Sequence, residues 1–236
     1  MTPEQTPEIH VVLVPGYWLG AWAWDDVLPP LRDAGLAPHA VTPPGQGGGD
    51  GSAVTLDDQV AAVRDLVDDL EGDVVLVGHS GGAPVVQMVT DQRPERVGRT
   101  VYVDAGPMRD GVAPFPETPS EISHSPFPDD AQLAAAELSA QGVDLAALRS
   151  RAVRQPTGVM RSPVRVRDRR RLAVPVTVIA TSLPSALVRQ LAAAGKLPTE
   201  LFEYADVELV DLPTGHWPML SRPVELGQAI ADAARA

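Results

Sequence analysis

The sequence predicts an α/β fold with a mostly parallel, doubly wound sheet and helices on both of its faces. Strand-like and helix-like segments alternate along most of the chain, which is typical of parallel sheets with helical crossovers. The length of 236 residues suits one α/β domain. A hydrophobic content of 44% can fill a single core. We therefore expect residues 1–236 to form one domain.

The first half of the chain contains three of the predicted strands. Short apolar runs bounded by turn residues are typical of buried strands, whereas apolar residues at helical spacing indicate amphipathic helices. The predicted elements are a strand at Ile9–Val14, a helix at Trp24–Ala34 ended by Gly35, a strand at Leu36–Thr42, a loop at Pro43–Gly49, a helix at Thr55–Leu70 capped by Thr55, and a strand at Val74–Val77.

The same criteria predict the elements of the second half. They are a helix at Ala83–Thr90, a strand at Thr100–Val103, a strand at Val174–Ala180, a helix at Leu187–Ala194, a strand at Val207–Val210 and a helix at Pro223–Ala234. These elements continue the alternation of strands and helices. We therefore expect them to extend the same parallel sheet.

Residues 107–172 interrupt this alternation. A proline-rich stretch, Pro107–Pro128, precedes alanine- and leucine-rich segments with helical character at Ala131–Ala140 and Leu145–Val153. No strand pattern is visible there, and a structureless loop of this length is improbable in a compact domain. We expect a helical cap, inserted after the strand that ends at Asp104.

Composition excludes several classes of site. The chain has no cysteine, which excludes disulfides, cysteine-ligated metals and a thiol nucleophile. Its formal net charge of −12 disfavours nucleic acids and anionic lipids as partners. The basic cluster Arg161–Arg171 is interpreted as a solvated face rather than an anion site.

The chain contains no apolar run approaching the ~18 residues that span a bilayer. The first eight residues, Met1–Glu8, are polar and lack the features of a signal peptide. We interpret them as a loose tail. The expected location is cytoplasmic, without membrane association.

The segment Gly78-His79-Ser80-Gly81-Gly82 matches a nucleophile turn between a strand and a helix. Small neighbours permit a sharp, strained turn that raises the Ser80 hydroxyl above the strand ends. The following helix N-terminus makes the N–H of Gly81 a natural oxyanion donor. A phosphate loop is disfavoured because no lysine follows the glycines.

A serine nucleophile needs a neighbouring base, which is usually an imidazole oriented by a carboxylate. His216 lies between the last predicted strand and the last predicted helix, so its ring returns to the carboxyl edge of the sheet. His79 lies within the turn itself, and His124 lies in the insertion. His216 is therefore the candidate base.

Together these motifs resemble the α/β-hydrolase superfamily from Val11 to the last helix. The segment from Val14 to Trp22 resembles the oxyanion loop of the small esterase and hydroxynitrile-lyase branch, although Pro15 replaces a histidine of that loop. The segment from Thr214 to Pro223 is similar to the catalytic-histidine loop of bacterial members. The resemblance implies that the N–H of Tyr17 is the second oxyanion donor.

The acid of the triad departs from the commonest family pattern. Most members carry it just after the penultimate strand, but here the residues 176–184 contain no carboxylate. A minority of the superfamily carries it one strand earlier, and that position is Asp104, which keeps the order serine, acid, histidine. We expect Asp104 to be the acid, because it ends a strand at the carboxyl edge, where ligand sites of open sheets form. Asp206, Asp211 and a dyad without an acid are alternatives, and Asp104 could instead form an Asx turn before Gly106.

The resemblance implies a serine hydrolase that cleaves a carboxylic ester or lactone of an apolar small molecule, with no metal or cofactor. The predicted substrate contacts are Trp18, His79, Phe115, Phe127 and Trp217. A cofactor-free ring-cleaving dioxygenase and a non-catalytic ligand-binding homologue are the alternatives. The oligomeric state is left open, with a homodimer as one candidate.

Overall fold

The computed structural model describes residues 8–47, 50–135 and 141–236. Six parallel strands form one sheet in the order β2-β1-β3-β4-β7-β8, and a two-stranded antiparallel sheet joins β5 to β6. The strands are β1 (Ile9–Val14), β2 (Ala37–Ala40), β3 (Asp73–His79), β4 (Val97–Val103), β5 (His124–Ser125), β6 (Gln155–Pro156), β7 (Val176–Ala180) and β8 (Val207–Asp211). The predicted fold class, a mostly parallel doubly wound sheet, is confirmed.

Helices connect these strands. The α-helices are α1 (Leu28–Asp33), α2 (Leu56–Asp69), α3 (Ala83–Gln92), α4 (Asp130–Ala135), α5 (Leu145–Arg151), α6 (Thr157–Arg161), α7 (Ser185–Ala193), α8 (Pro218–Ser221) and α9 (Pro223–Arg235). Short 3₁₀ helices occupy Ala21–Trp24, Ser80–Gly82, Arg169–Ala173 and Leu201–Glu203. None of the helices in the described ranges is long and apolar enough to cross a membrane.

Each face of the sheet packs on its own apolar cluster. Along β1, Val12 and Val14 face the cluster that contains α2 and α3, whereas Val11 and Leu13 face the cluster that contains α1 and α9. Side chains of a strand alternate between the two faces, and both faces are covered here. This explains why the central strands are continuously apolar.

Two helix boundaries show how local sequence sets the elements. Thr55 caps α2 as predicted, and it forms a reciprocal capping box with Asp58. The helix predicted at Trp24–Ala34 is shorter and begins at Leu28, because prolines 29 and 30 fit only the first turn of a helix.

The insertion between β4 and β7 contains short elements. It carries α4, α5 and α6, but it also forms the β5–β6 pair, so the expectation that it lacks strands is wrong. Two-residue strands leave no readable alternation in a sequence. The helix predicted at Ala131–Ala140 appears as α4, and residues 136–140 lie outside the described residues. The treatment of residues 107–172 as one cap stays a prediction.

One member of the basic cluster is not on a solvated face. Arg171 is only 5% exposed and pairs with Glu200 at 2.7 Å and Asp91 at 3.5 Å. Arginine is rarely buried unless carboxylates pair with it, and those partners lie 29 and 80 residues away in sequence. The solvated-face interpretation is therefore wrong for Arg171.

Candidate active site

Ser80 lies in a turn that only small neighbours permit. It follows the last residue of β3 and has a φ of 46°, which is left-handed and unfavourable for a serine. A Cβ at position 78 would lie 2.6 Å from the Val86 side chain, and one at position 82 would lie 2.5 Å from the Val14 carbonyl oxygen. Glycine is therefore required on both sides of the nucleophile turn.

Sheet register brings the Ser80 and Asp104 backbones to the same edge. His79 of β3 is paired with Val103 of β4, so Ser80 and Asp104 are the residues that follow paired positions. Likewise Val14 of β1 is paired with Gly78, which places the loop after β1 beside the turn. The strand order reverses between β1 and β3, and the crevice at such a switch point is where open α/β sheets bind ligands.

Ser80, His216 and Asp104 form one hydrogen-bonded chain. The distance from His216 Nε2 to Ser80 Oγ is 2.8 Å, and that from His216 Nδ1 to Asp104 Oδ2 is 2.6 Å. This is the geometry in which an imidazole accepts the serine proton while a carboxylate fixes its tautomer. The structure thus brings together the three residues predicted to act on the substrate.

The Asp104 carboxylate is anchored by the loop that follows β7. It accepts hydrogen bonds from the N–H groups of Thr181 (3.2 Å) and Ser182 (2.9 Å) and from the Ser182 hydroxyl (2.6 Å). Burial would raise the pKa of Asp104, but the hydrogen bonds from His216 and Ser182 outweigh it and hold the pKa well below its usual value. Asp104 is therefore a carboxylate at any pH near neutrality.

The rival acids lie elsewhere. Asp211 accepts hydrogen bonds from the N–H and hydroxyl of Ser185, both at 2.7 Å. Asp206 precedes the first residue of β8, at the opposite end of the strand from the site. Among the described residues, Asp104 alone pairs with His216, and its side chain is bonded to the neighbouring strand end rather than to a local turn.

Backbone strain is concentrated at this edge. Within the described ranges, the only non-glycine residues with positive φ are Trp18 (64°), Ser80 (46°) and Asp104 (45°). Two of them belong to the hydrogen-bonded chain, and the third follows Tyr17. Residues held in such conformations cluster at functional sites, where the surrounding fold overcomes the strain.

The predicted oxyanion residues line a cavity with Ser80. Tyr17 and Gly81 both border this cavity, which has a volume of about 230 Å³. A Cβ at position 81 would lie 2.4 Å from the Tyr17 ring, so glycine permits the close approach of the two residues. The buried Gln46 amide steadies the loop by donating to the carbonyl oxygens of Gly16 (2.8 Å) and Leu19 (3.0 Å).

The insertion contributes the outer wall of the cavity at Ser80 through Met108, Pro114 and Phe115. Phe115, a predicted substrate contact, is 49% exposed and packs against Tyr17 with a centroid separation of 5.8 Å. Trp18 and Phe127 instead pack edge to face on each other at 6.3 Å, outside this cavity. Their contact with substrate stays a prediction.

Two predicted substrate contacts, Trp217 and His79, are buried away from the cavity at Ser80. Trp217 is 6% exposed and belongs to the apolar cluster on the α1/α9 face, although its ring lies 5.7 Å from that of His216. Neither Trp217 nor His79 borders the cavity at Ser80. Trp217 is drawn inward because burying a large aromatic ring stabilises the core.

His79 supports the His216 loop from beneath. It is fully buried, and its Nε2–H donates to the His216 carbonyl oxygen at 2.6 Å. Burial, followed by the proximity of His216, lowers the pKa of His79 to about 3, so the ring is neutral. A Cβ at position 16 would lie 2.7 Å from its Nδ1, so the ring also packs closely on Gly16.

Sequence reasoning missed three supporting residues: Gln46, Thr181 and Ser182. The Thr181 hydroxyl donates to the Gly215 carbonyl oxygen at 2.9 Å and so fixes the start of the His216 loop. Ser182 lies 78 residues from its partner Asp104, and Gln46 lies 30 residues from Gly16. No local pattern marks such distant partners, although the strand end before Ser182 places it at the correct edge.

The described residues contain no group of three or more histidine, aspartate or glutamate side chains that could hold a metal ion. The carboxylate that borders the cavity at Ser80 is Asp104. Its oxygens already accept hydrogen bonds from His216, Thr181 and Ser182.

Comparisons with known proteins agree with this architecture. Putative methylesterase 12, a chloroplastic protein of Arabidopsis thaliana, is 34% identical over 109 residues, which cover 44% of this chain and 31% of that protein. A carbendazim hydrolyzing esterase of Nocardioides sp. is 36% identical over 102 residues, or 41% of each chain. The matched segments thus span well under half the length of these curated relatives.

A likeness to a solved structure extends over nearly the whole chain. The crystal structure of a pyrethroid hydrolase from Sphingobium faniae has a TM-score of 0.74 and 25% sequence identity, and it covers 97% of this chain and 98% of its own. The model of the alpha/beta hydrolase family matches residues 11–229, which include the whole candidate site. The chain therefore belongs to the alpha/beta hydrolase family.

Proposed function

We propose that this protein is a serine hydrolase that cleaves a carboxylic ester of an apolar small molecule through an acyl-serine intermediate. The observation that carries the proposal is the unbroken hydrogen-bonded chain from Ser80 through His216 to Asp104. It opens on a cavity that Tyr17 and Gly81 also border. A nucleophile, a base, an orienting carboxylate and oxyanion donors are the groups that acyl transfer requires.

In the first half-reaction, Ser80 Oγ attacks the carbonyl carbon of the ester while His216 Nε2 accepts the hydroxyl proton. The carbonyl oxygen becomes an oxyanion, which the N–H groups of Gly81 and Tyr17 stabilise by hydrogen bonds. The intermediate then collapses, the bond to the alcohol oxygen breaks, and His216 gives its proton to the departing alcohol. The product of this step is an acyl-Ser80 ester.

In the second half-reaction, water attacks the acyl-serine and transfers a proton to His216 Nε2. Collapse of the second intermediate releases the carboxylic acid, and His216 returns the proton to Ser80 Oγ. Throughout, the Asp104 carboxylate accepts the Nδ1–H hydrogen bond and stabilises the imidazolium that forms in each half-reaction. Its depressed pKa keeps it charged for this role.

The substrate class is supported by two observations. The relatives named above are a putative methylesterase, a carbendazim hydrolyzing esterase and a pyrethroid hydrolase. The wall of the cavity at Ser80 includes the apolar residues Pro84, Met108, Pro114 and Phe115. We therefore propose an uncharged, apolar ester, and a lactone is the cyclic form of the same functional group.

The test is hydrolysis of a graded set of p-nitrophenyl esters and lactones by the wild type, Ser80→Ala and His216→Ala. We expect each variant to lose at least about 10³-fold in kcat, because the serine and histidine act as one unit. A fluorophosphonate probe followed by mass spectrometry should label Ser80. Ser120→Ala, an exposed serine outside the cavity, is the matched control and should retain both activity and label.

A wild-type protein that neither hydrolyses the esters nor reacts with the probe would overturn the proposal. Oxygen uptake during substrate consumption would then identify the cofactor-free dioxygenase alternative. Ligand binding without turnover would identify the non-catalytic homologue. Label at any serine other than Ser80 would contradict the assignment of the nucleophile.

A further inference from the structure

A second cavity lies beside the one at Ser80. It has a volume of about 250 Å³ and lies between the ends of β4 and β7, helix α7 and residues 197–201. The two cavities share four lining residues, namely Asp104, Ala105, Gly106 and Met108. Together their volumes fall within the roughly 300–1,000 Å³ of small-molecule sites, whereas each alone is below that range.

The surface of the second cavity is mostly apolar, although three polar side chains border it. Its three polar side chains are Asp104, Ser182 and Thr199, and each already makes hydrogen bonds to protein groups. The Ser182 hydroxyl donates to Asp104, and the Thr199 hydroxyl donates to the Pro107 carbonyl oxygen at 2.7 Å. Both hydroxyl protons are thus donated to protein acceptors, and the group that fits this mostly apolar surface is a hydrocarbon.

One wall of this cavity is rigidly held. The Gln87 amide forms two hydrogen bonds with the Met108 backbone. It donates to the carbonyl oxygen at 2.7 Å and accepts from the N–H at 2.9 Å. Gln87 also donates to Glu200, which pairs with the buried Arg171 at 2.7 Å. This network ties residues 108 and 199–200 to the core, so the cavity exists before any ligand binds.

The opposite wall is loosely packed. Helix α7 has no buried residue, and Leu183 just before it is 40% exposed. Val188 of this helix faces the cavity. Ligand can therefore be accommodated on this side without breaking a close-packed core.

Resting on the proposed function, we infer that the second cavity is an acyl-chain subsite that selects esters with long unbranched acyl groups. The cavity at Ser80 is bordered by the oxyanion residues and not by His216, whose Nε2 must protonate the leaving alcohol. The acyl group therefore occupies the cavity at Ser80, and its far end continues past Gly106 into the second cavity. The alcohol lies on the other side, towards His216.

Gly106 borders both cavities, so a substitution at this position tests whether they are connected. A Cβ at this position would meet only Thr199 Oγ1, at 3.8 Å, so a larger side chain fits without a backbone clash. Gly106→Leu should close the passage, and Val188→Trp should fill the far end. Gln190→Trp, on the exposed side of α7, is the matched control for a new tryptophan in this helix.

The experiment compares p-nitrophenyl acetate with p-nitrophenyl hexanoate. We expect the wild type to prefer the hexanoate by at least about tenfold in kcat/KM, since each buried methylene contributes about fourfold. Gly106→Leu and Val188→Trp should each lower this ratio at least about fivefold, whereas Gln190→Trp should leave it within twofold of the wild type. Esters lengthened on the alcohol side, ethyl and hexyl acetate, should show no such dependence on either variant.

Calorimetric binding of the same two esters to Ser80→Ala separates the subsite from the catalytic proposal. Tighter binding of the hexanoate, abolished by adding Val188→Trp, supports the subsite even if the wild type shows no turnover. Turnover with a chain-length ratio that neither variant changes overturns the subsite and leaves the hydrolase proposal intact. If the two variants change the preference for alcohol length but not the preference for acyl-chain length, the subsite proposal is also overturned.

Discussion

The nucleophile turn with helix α3 and the insertion between β4 and β7 differ in how closely they are packed. Helix α3, which follows Ser80, buries every residue from Ala83 to Asp91, whereas α5 of the insertion buries only Leu148. The site's hydrogen-bonded chain is therefore fixed by a close-packed core and by the sheet register. The insertion lends the cavity at Ser80 residues such as Phe115, half of which is exposed.

This difference teaches where chemistry and selectivity reside. Strand register and positive-φ turns position Ser80 and Asp104, and small displacements of such groups are costly in rate. Exposed side chains of the insertion, such as Phe115, can change without disturbing that register. We therefore expect variants at the sheet edge to lose activity or stability, and variants in the insertion to change substrate preference.

The largest effect is expected for the acid. Asp104→Asn should lower kcat about 10³- to 10⁴-fold, because the amide preserves the size of the side chain but favours the wrong imidazole tautomer. Steady-state kinetics with a p-nitrophenyl ester measures the loss. Asp211→Asn is the control and should retain activity, since the Asp211 carboxylate bonds to Ser185 and not to His216. Equal losses of kcat in Asp104→Asn and Asp211→Asn would contradict the assignment of Asp104 as the acid.

The core and the insertion should also differ in stability. Leu13→Ala removes a fully buried side chain from β1 and should lower the free energy of unfolding by about 2–5 kcal/mol. Phe115→Ala removes a half-exposed ring and should cost about 1 kcal/mol or less. Urea denaturation followed by circular dichroism provides both values. A similar cost at the two positions would show that the Phe115 ring contributes as much to stability as a core side chain.

His79 provides a smaller, pH-dependent effect. Its pKa of about 3 in the folded protein lies below the unfolded value of about 6.5, so unfolding takes up a proton between these pH values. The contribution of His79 to the free energy of unfolding is fully present above about pH 6.5. It falls by about 1.4 kcal/mol per pH unit as the pH decreases towards 3.

Denaturation of the wild type and His79→Gln between pH 7 and pH 4 tests this contribution. Glutamine retains an N–H donor for the His216 carbonyl oxygen but does not titrate. The difference in unfolding free energy between the two proteins should therefore change with pH at this slope. Parallel curves would show that His79 titrates normally in the folded state.

The smallest effect is expected for the aromatic ring over the nucleophile. Phe115→Ala should raise KM about fivefold for an apolar ester with little change in kcat, since the lost contact stabilises substrate and transition state alike. Phe202→Ala is the matched control, because Phe202 is 47% exposed and borders neither cavity. A loss confined to kcat would place Phe115 in the catalytic step itself.

Local patterns were sufficient for the elements that place the nucleophile and the base. An apolar strand, a glycine-rich turn and a helix follow each other at Ser80, and a loop between a strand and a helix carries His216. Each pattern spans a few residues, so it is readable in one sequence. The elements of the insertion are harder to predict from the sequence, because its helices and strands are only two to seven residues long.

The acid illustrates what a single sequence leaves open. Asp104, Asp206 and Asp211 all border predicted strands, and although the sequence favours Asp104, the strand order and hydrogen bonds of the structure show which of them meets His216. In the structure, the Asp104 N–H bonds to the Ile179 carbonyl oxygen at 2.9 Å, which brings its side chain to the loop after β7. That neighbour is 75 residues away and is set by sheet topology.

The sequence by itself determined the parallel sheet, the turn at Ser80 and the candidate base His216, because hydrophobic period and turn chemistry are local properties. The tertiary structure alone decided which carboxylate meets the imidazole, that His79 and Trp217 are buried, and that a second cavity adjoins the first. The physical reason is that burial and hydrogen-bond partners depend on which distant strands become neighbours. Burial and hydrogen-bond partners are therefore set only when the whole sheet has formed.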